Sequence, residues 1–167
     1  VADLEKKYEA YEYYLDAVKR DGVPYELITK ALPTIEGEVN NILSQLVDFQ
    51  MVFEMDGKNI NNFIVYDDDN IWPLELSSGM ERFISSLAIR VGLINVSNLP
   101  RSNFLAIDEG WGTMDSDNLN SVYSLFQYLK SQFQFTLIVS HIDSMRDAVD
   151  TLLEVKKEKG FSNIIFD

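Results

Sequence analysis

Apolar residues recur at helical spacing in the first part of the chain, alternate in the middle, and gather into short runs towards the end. In residues 1–21, Val1, Leu4, Tyr8, Tyr11, Leu15 and Val18 follow one another at steps of 3, 4, 3, 4 and 3, with Lys and Glu between them. This seam spacing predicts either the end of a coiled coil or an amphipathic surface helix. A one-sided stripe needs a partner, and the sequence offers no second heptad helix. Gly22 and Pro24 break the pattern, and Pro33 is expected to break the next helix, since proline cannot donate to the preceding turn. A third helix over about 34–47 would place Ile35, Val39, Ile42, Leu43 and Leu46 on one face.

The period then changes to two. Phe49 to Met55 and Asn61 to Tyr66 flank the turn dipeptide Asp56-Gly57, which predicts two antiparallel strands. Asp67-Asp68-Asp69 reads as a solvated loop. From Ser78 onward helices and strands alternate: helix 79–95 before strand 103–108, helix 116–132 before strand 135–140, and a short helix at 142–149 before strands near 151–156 and 161–166. The runs Phe104-Leu105-Ala106-Ile107 and Phe135-Thr136-Leu137-Ile138-Val139 suit strands of a parallel sheet covered on both faces, which makes the fold class α/β.

Composition narrows the chemistry. At 167 residues and 46% hydrophobic content, the chain is long enough for one domain with a sizeable core. Fourteen basic against 27 acidic residues leave a net charge of −13, so the isolated chain should repel a phosphate backbone. Lys156, Lys157 and Lys159 form a small basic cluster that reads as a solvated strand end. The absence of cysteine excludes disulfides and thiolate metal sites and fits a reducing, intracellular compartment. No apolar run is long enough to span a bilayer, and no membrane partner is expected. Val1 at the first position hints at an excised fragment.

Three stretches carry candidate chemistry. The strand 103–108 ends in Asp108-Glu109, at the carboxyl end where parallel sheets place their ligands. Adjacent residues of a strand point to opposite sides, so Asp108 can hold Mg²⁺ while Glu109 accepts a proton from an attacking water. Two acids that merely end a strand at the surface would look the same. Ser78-Gly79 stand before the apolar helical pattern Phe83, Ile84, Leu87, Ala88 and Val91, where a helix start and a hydroxyl can meet phosphate or simply form an N-cap. The sole histidine, His141, follows strand 135–140 at the same sheet edge as Glu109, where an imidazole can donate to a terminal phosphate. Yet no G-x-x-x-x-G-K-[ST] phosphate loop occurs anywhere in the sequence.

In their order and spacing these stretches, with the run DEGWGTMDSDNL (108–119) and the ending SHIDSM…LLEVKK, resemble the C-terminal half of the head of SMC-like ABC ATPases. Within them the resemblance is strongest to the SbcC type, the ATPase of a double-strand-break repair nuclease complex. It implies residues 1–21 as the end of a returning coiled coil, 22–47 as a helical coiled-coil base, and 48–167 as the C-terminal lobe of a P-loop NTPase-like head with a small β-hairpin. The phosphate loop (Walker A) and Q-loop would then lie on a separate N-terminal lobe. By resemblance two heads sandwich ATP: Ser78, Gly79 and Glu81 form the signature that reaches the γ-phosphate across a homodimer of heads. Asp108 serves Mg²⁺, Glu109 polarises water, Gly112, Thr113 and Asp115 form the D-loop, and His141 senses the γ-phosphate. A nuclease subunit near residues 1–47, double-stranded DNA bound through the full complex, and a cytoplasmic, nucleoid or nuclear location are also implied. The same chemistry would serve a chromosome-organising SMC or a related recombination ATPase, and the same fold would suit a non-hydrolysing tether. One departure stands out: Met80 occupies the place of the family's frequent second glycine, so the turn should rely on Gly79. An alternative register puts Ser77 at the serine position.

Overall fold

The computed structural model describes residues 2–57, 59–109, 119–158 and 160–166. The chain divides into two compact units, Val1–Leu99 and Pro100–Asp167.

The first unit begins with α1 (Ala2–Val18), shorter than the 1–21 expected, and α2 (Val23–Leu43). Leu4, Tyr8, Tyr11, Leu15 and Val18 are all more than half exposed, so the heptad stripe of α1 is left largely open among the described residues. Pro24 sits in the first turn of α2, where its missing N–H costs nothing. Pro33, by contrast, lies inside α2, and the helix runs through it. The expected break and the separate third helix at 34–47 are therefore one helix ending at Leu43. The reason is tertiary. Leu32, Val39, Ile42 and Leu43 are buried, while Thr29, whose carbonyl loses its donor to the ring, is open to solvent. Pro33→Ala should restore that donor and stabilise the unit by about 2 kcal/mol, the helix-interior penalty less the added freedom of the unfolded chain. Urea unfolding followed by circular dichroism measures it; an unchanged midpoint would mean the ring costs α2 nothing.

A three-stranded antiparallel sheet follows, in the order β1 (Gln50–Met55), β2 (Ile60–Asp67) and β3 (Asn70–Pro73). The first pair matches expectation, but β3 does not. The acidic run expected as a loop is a hairpin turn, in which Asp67 accepts from the amides of Asp69 and Asn70 and from the Asn70 side chain. Hydrogen bonds from Asn70 and from the Asp69 amide hold the Asp67 carboxyl below the usual carboxylate range. The free edge of β1 is covered by α2. The Asn40 side chain bonds both the amide and the carbonyl of Met51 at 2.8 Å, and Glu36 accepts from the Phe53 amide at 2.8 Å.

Beyond a 3₁₀ turn at Leu74–Leu76, α3 (Gly79–Val96) packs against α2, burying Ile84, Leu87, Ala88 and Val91 as the sequence pattern predicts. Gly92 permits the close approach: a Cβ there would lie 3.1 Å from the Cγ2 of Val39. Met51 and Ile64 complete this core.

The second unit holds a parallel pair, β4 (Phe104–Asp108) and β5 (Phe135–Val139), linked through α4 (Leu119–Gln132). Val122, Leu125, Phe126 and Leu129 of α4 and the following Phe133 are buried. Contrary to the expectation of strands covered on both faces, one face of this pair is open within this unit. Phe104, Phe135, Leu137 and Val139 form an open apolar face, and the Phe104 and Phe135 rings stack at 5.5 Å. A strand buried on two faces in a full sheet reads as a continuous apolar run wherever its second cover comes from. The short helix expected at 142–149 is a 3₁₀ helix, Asp143–Ala148, and β6 (Leu153–Glu158) pairs antiparallel with β7 (Phe161–Phe166).

Candidate functional site

Parallel pairing brings Glu109 and His141 together. Residue 108 ends β4 opposite Val139, the last residue of β5, and the Glu109 amide donates to the Val139 carbonyl at 3.0 Å. This extends the ladder one step past β4. Glu109 then takes φ = 59°, the left-handed region, and is the one non-glycine residue to do so among those described. That conformation costs about 1–2 kcal/mol for a side chain with a Cβ, a strain that concentrates at functional positions. Its Oε1 lies 4.0 Å from Nδ1 of His141, and both side chains are largely exposed. Ser140 shapes the turn beneath: its hydroxyl accepts from the Ile142 amide at 3.1 Å and donates to the buried Met145 sulfur at 3.2 Å. Sequence reasoning assigns Ser140 no role, although a serine preceding a lone histidine at a strand end is a turn signal.

Asp108 is exposed at the end of β4 on the same side as Phe104 and Ala106. Among the described residues no three acidic or histidine side chains gather closely enough to hold a metal by themselves. One carboxylate completed by phosphate oxygens and water nevertheless fits Mg²⁺, which takes only one or two carboxylates from protein. Gly112, Thr113 and Asp115 lie outside the described residues.

In the first unit, Ser78 is the N-cap of α3. Its Oγ accepts from the Glu81 amide at 3.2 Å while Glu81 Oε2 accepts from the Ser78 amide at 2.6 Å, a reciprocal capping box. A serine followed three residues later by glutamate is the sequence signal for it. The turn needs no positive φ at Gly79 or Met80. Ser77 and Ser78 are extended and Gly79 is already helical, so the expected reliance on Gly79 for an unusual backbone does not hold. An N-cap takes β-region angles that any residue adopts. The two serines differ sharply. Ser78 is exposed, whereas Ser77 is buried and its hydroxyl donates to the Leu74 carbonyl at 2.6 Å.

Glu81 has a third partner, the Tyr66 hydroxyl, which donates to Oε1 at 2.7 Å. Burial raises the Glu81 pKa, but hydrogen bonds from Tyr66 and Ser78 together outweigh it and hold the carboxyl below its ordinary value. Burial, and then the bond to Glu81, push the Tyr66 phenol up to about 12.

No family model matches the chain. An uncharacterized protein of Acanthamoeba polyphaga mimivirus, R555, is 36% identical over 98% of this chain. The SbcC component of the SbcCD nuclease of Staphylococcus aureus is 29% identical over 67% of it. The chain spans only 13% of the viral protein's length and 11% of the staphylococcal one's. Among solved structures, an SMC ATPase studied for ATP-driven dimerisation and DNA-stimulated activation superposes with a TM-score of 0.69 at 15% identity, covering 84% of this chain and 88% of that one. The fold is that of an SMC head domain. An Smc head bound to the C-terminal winged-helix domain of ScpA gives a TM-score of 0.65 at 18% identity, covering 84% of this chain and 45% of that one. The resemblance to SbcC-type, SMC-like heads read from the motifs is thus matched by SbcC over two thirds of the chain and by SMC heads in the fold, and a partial, C-terminal lobe fits both. Among the described residues no helix is long and apolar enough to cross a membrane.

Proposed function

We propose that this chain is the C-terminal lobe of an ATP-hydrolysing head from a DNA double-strand-break repair or recombination ATPase. The observation that carries this reading is the meeting of Glu109 and His141 at the carboxyl ends of two adjacent parallel strands, with Glu109 held in a strained backbone. Glu109 accepts the proton of the attacking water, and His141 donates to the terminal phosphate. Asp108 would hold Mg²⁺, which when bound neutralises charge on the phosphate oxygens. Ser78 and Gly79 meet the γ-phosphate held by the opposing head, so ATP clasps two heads and hydrolysis releases them. Gly112, Thr113 and Asp115 work across that same dimer. The exposed stripe of α1 supports a nuclease partner seated near residues 1–47, and the open faces of β4 and β5 support an N-terminal lobe as neighbour. With a charge of −13, duplex DNA would bind through the complete assembly inside the cell, not through this lobe alone.

A second reading, a chromosome-organising SMC head, is favoured by the likeness to the ScpA-bound Smc head. It keeps the same ATP chemistry and exchanges the nuclease for another partner. A non-hydrolysing tether is disfavoured by Glu109, whose strain has no use in a passive module.

Because the 167 residues contain no phosphate loop, the isolated chain should show no ATP turnover, and mixing with its complementary N-terminal lobe should generate it. A malachite-green phosphate assay on each lobe and on the mixture is the test. Robust hydrolysis by this chain alone would overturn the split-head reading.

A further inference from the structure

His141 has to be held through its backbone. Its side chain is 75% exposed, so packing does not fix the imidazole, and its direction follows from the residues on either side. Those residues are closed into a cycle of three hydrogen bonds. The Ile142 amide donates to the Ser140 hydroxyl oxygen at 3.1 Å, and that hydroxyl donates to the Met145 sulfur at 3.2 Å. The Met145 amide then donates to the Ile142 carbonyl at 3.2 Å. Each direction is forced. An amide N–H only donates and a thioether only accepts, so the hydroxyl that meets both must accept from one and give its proton to the other.

The far end of the cycle is anchored. Met145 is buried in the 3₁₀ helix Asp143–Ala148, which packs on α4. The adjacent Arg146 bonds Asp143 at 3.1 Å and reaches Glu154 of β6 at 3.4 Å. A sulfur fixed in this way selects one rotamer of Ser140. With that rotamer set, Oγ holds the Ile142 amide, and His141 is the residue spanned by the bond. On the other side, the Glu109 amide is tied to the Val139 carbonyl at 3.0 Å, one residue before Ser140. Both members of the pair are thus referred to the same end of β5.

We propose that Ser140 is a positioning residue for His141: locked by the buried Met145 sulfur, its hydroxyl holds the Ile142 amide and so aims the imidazole towards Glu109 and a nucleotide phosphate. This rests on the reading of His141 as the phosphate donor. Ser140 acts through His141 and not on the phosphate itself.

Ser140→Ala removes the hydroxyl, and Ser140→Thr keeps it. By hydrogen-exchange NMR on the 167-residue chain, the Ile142 amide should exchange about fivefold faster in Ser140→Ala, the scale of one neutral hydrogen bond. The amides of Leu125 and Leu129 in α4 should be unchanged. In the head assembled with its N-terminal lobe, Ser140→Ala should lower kcat about tenfold to 100-fold at unchanged KM for ATP, the scale of a misdirected catalytic group. Ser140→Thr should restore it. Met145→Leu keeps the bulk and removes the acceptor, and should speed Ile142 exchange about twofold; it carries the test if Ser140→Ala disturbs α4. In a His141→Ala background, Ser140→Ala should slow turnover no further, whereas a serine that only supports the fold would slow both backgrounds alike. Unchanged Ile142 exchange in Ser140→Ala and Met145→Leu, or a further loss in the His141→Ala background, would overturn the proposal. If His141→Ala leaves turnover intact, the reading of His141 falls and the role of Ser140 with it. If His141→Ala slows turnover and Ser140→Ala does not, only the role of Ser140 falls.

Discussion

In the assembled head, Glu109→Gln is expected to slow ATP hydrolysis by about 10²–10⁴-fold, the usual contribution of a positioned general base. Glutamine has the same shape and carries the same backbone cost at φ = 59°, so the turn after β4 and its bond to the Val139 carbonyl should persist. What disappears is the basic oxygen 4.0 Å from the His141 imidazole. ATP binding should therefore survive, and heads that close on ATP should stay closed. Single-turnover hydrolysis reads the chemistry, and gel filtration with ATP and Mg²⁺ reads the trapped dimer. Wild-type turnover in this variant would remove Glu109 from the mechanism.

The second large effect is expected at the signature turn. Ser78→Arg puts a long side chain at the exposed start of α3 and should weaken ATP-driven dimerisation about 100-fold or more, the scale of a lost central contact. ATP binding to the opposite lobe's phosphate loop should remain. Losing the N-cap also destabilises α3 by about 1 kcal/mol, so Ser78→Ala serves as the control for stability without bulk. Ser77 needs a different control. It is buried with its hydroxyl on the Leu74 carbonyl, so an arginine there would disturb packing and say little about register. Ser77→Ala removes the hydroxyl alone and should dimerise normally; a dimer defect at Ser77→Ala together with a normal Ser78→Arg would place the phosphate contact at Ser77. Light scattering and a fluorescent-nucleotide titration separate dimer from binding. Normal dimerisation in every variant would leave α3 as an ordinary capped core helix.

Much of the fold was legible because its elements are decided locally. The β1–β2 register follows from alternation around Asp56-Gly57, and α3 follows from a capped apolar stripe starting at Ser78. Pro33 shows the limit of local reasoning. A proline ends a helix unless burial of the residues beyond it outweighs one lost bond, and that burial depends on α3, more than forty residues further on. β3 was missed for a similar reason. Ile71-Trp72-Pro73 is too short to show a period, and becomes a strand because Asp67 closes the turn and Tyr66 stacks on Trp72.

The site divides along the same line. Sequence by itself singled out the candidate residues for the proposed chemistry: Asp108 and Glu109 at a strand end, His141 after the next strand, and Ser78 at a helix start. Residue type and position relative to a local element are written in the chain. Tertiary structure alone decided which of them meet. Glu109 and His141 are 4.0 Å apart only because β4 and β5 pair in parallel and in register. Ser78 rather than Ser77 faces solvent only because the 3₁₀ turn buries the earlier hydroxyl. Tyr66 reaches Glu81 only because a sheet folds back onto a helix start. Pairing across distant segments is set by long-range packing, and no spacing along the chain encodes it.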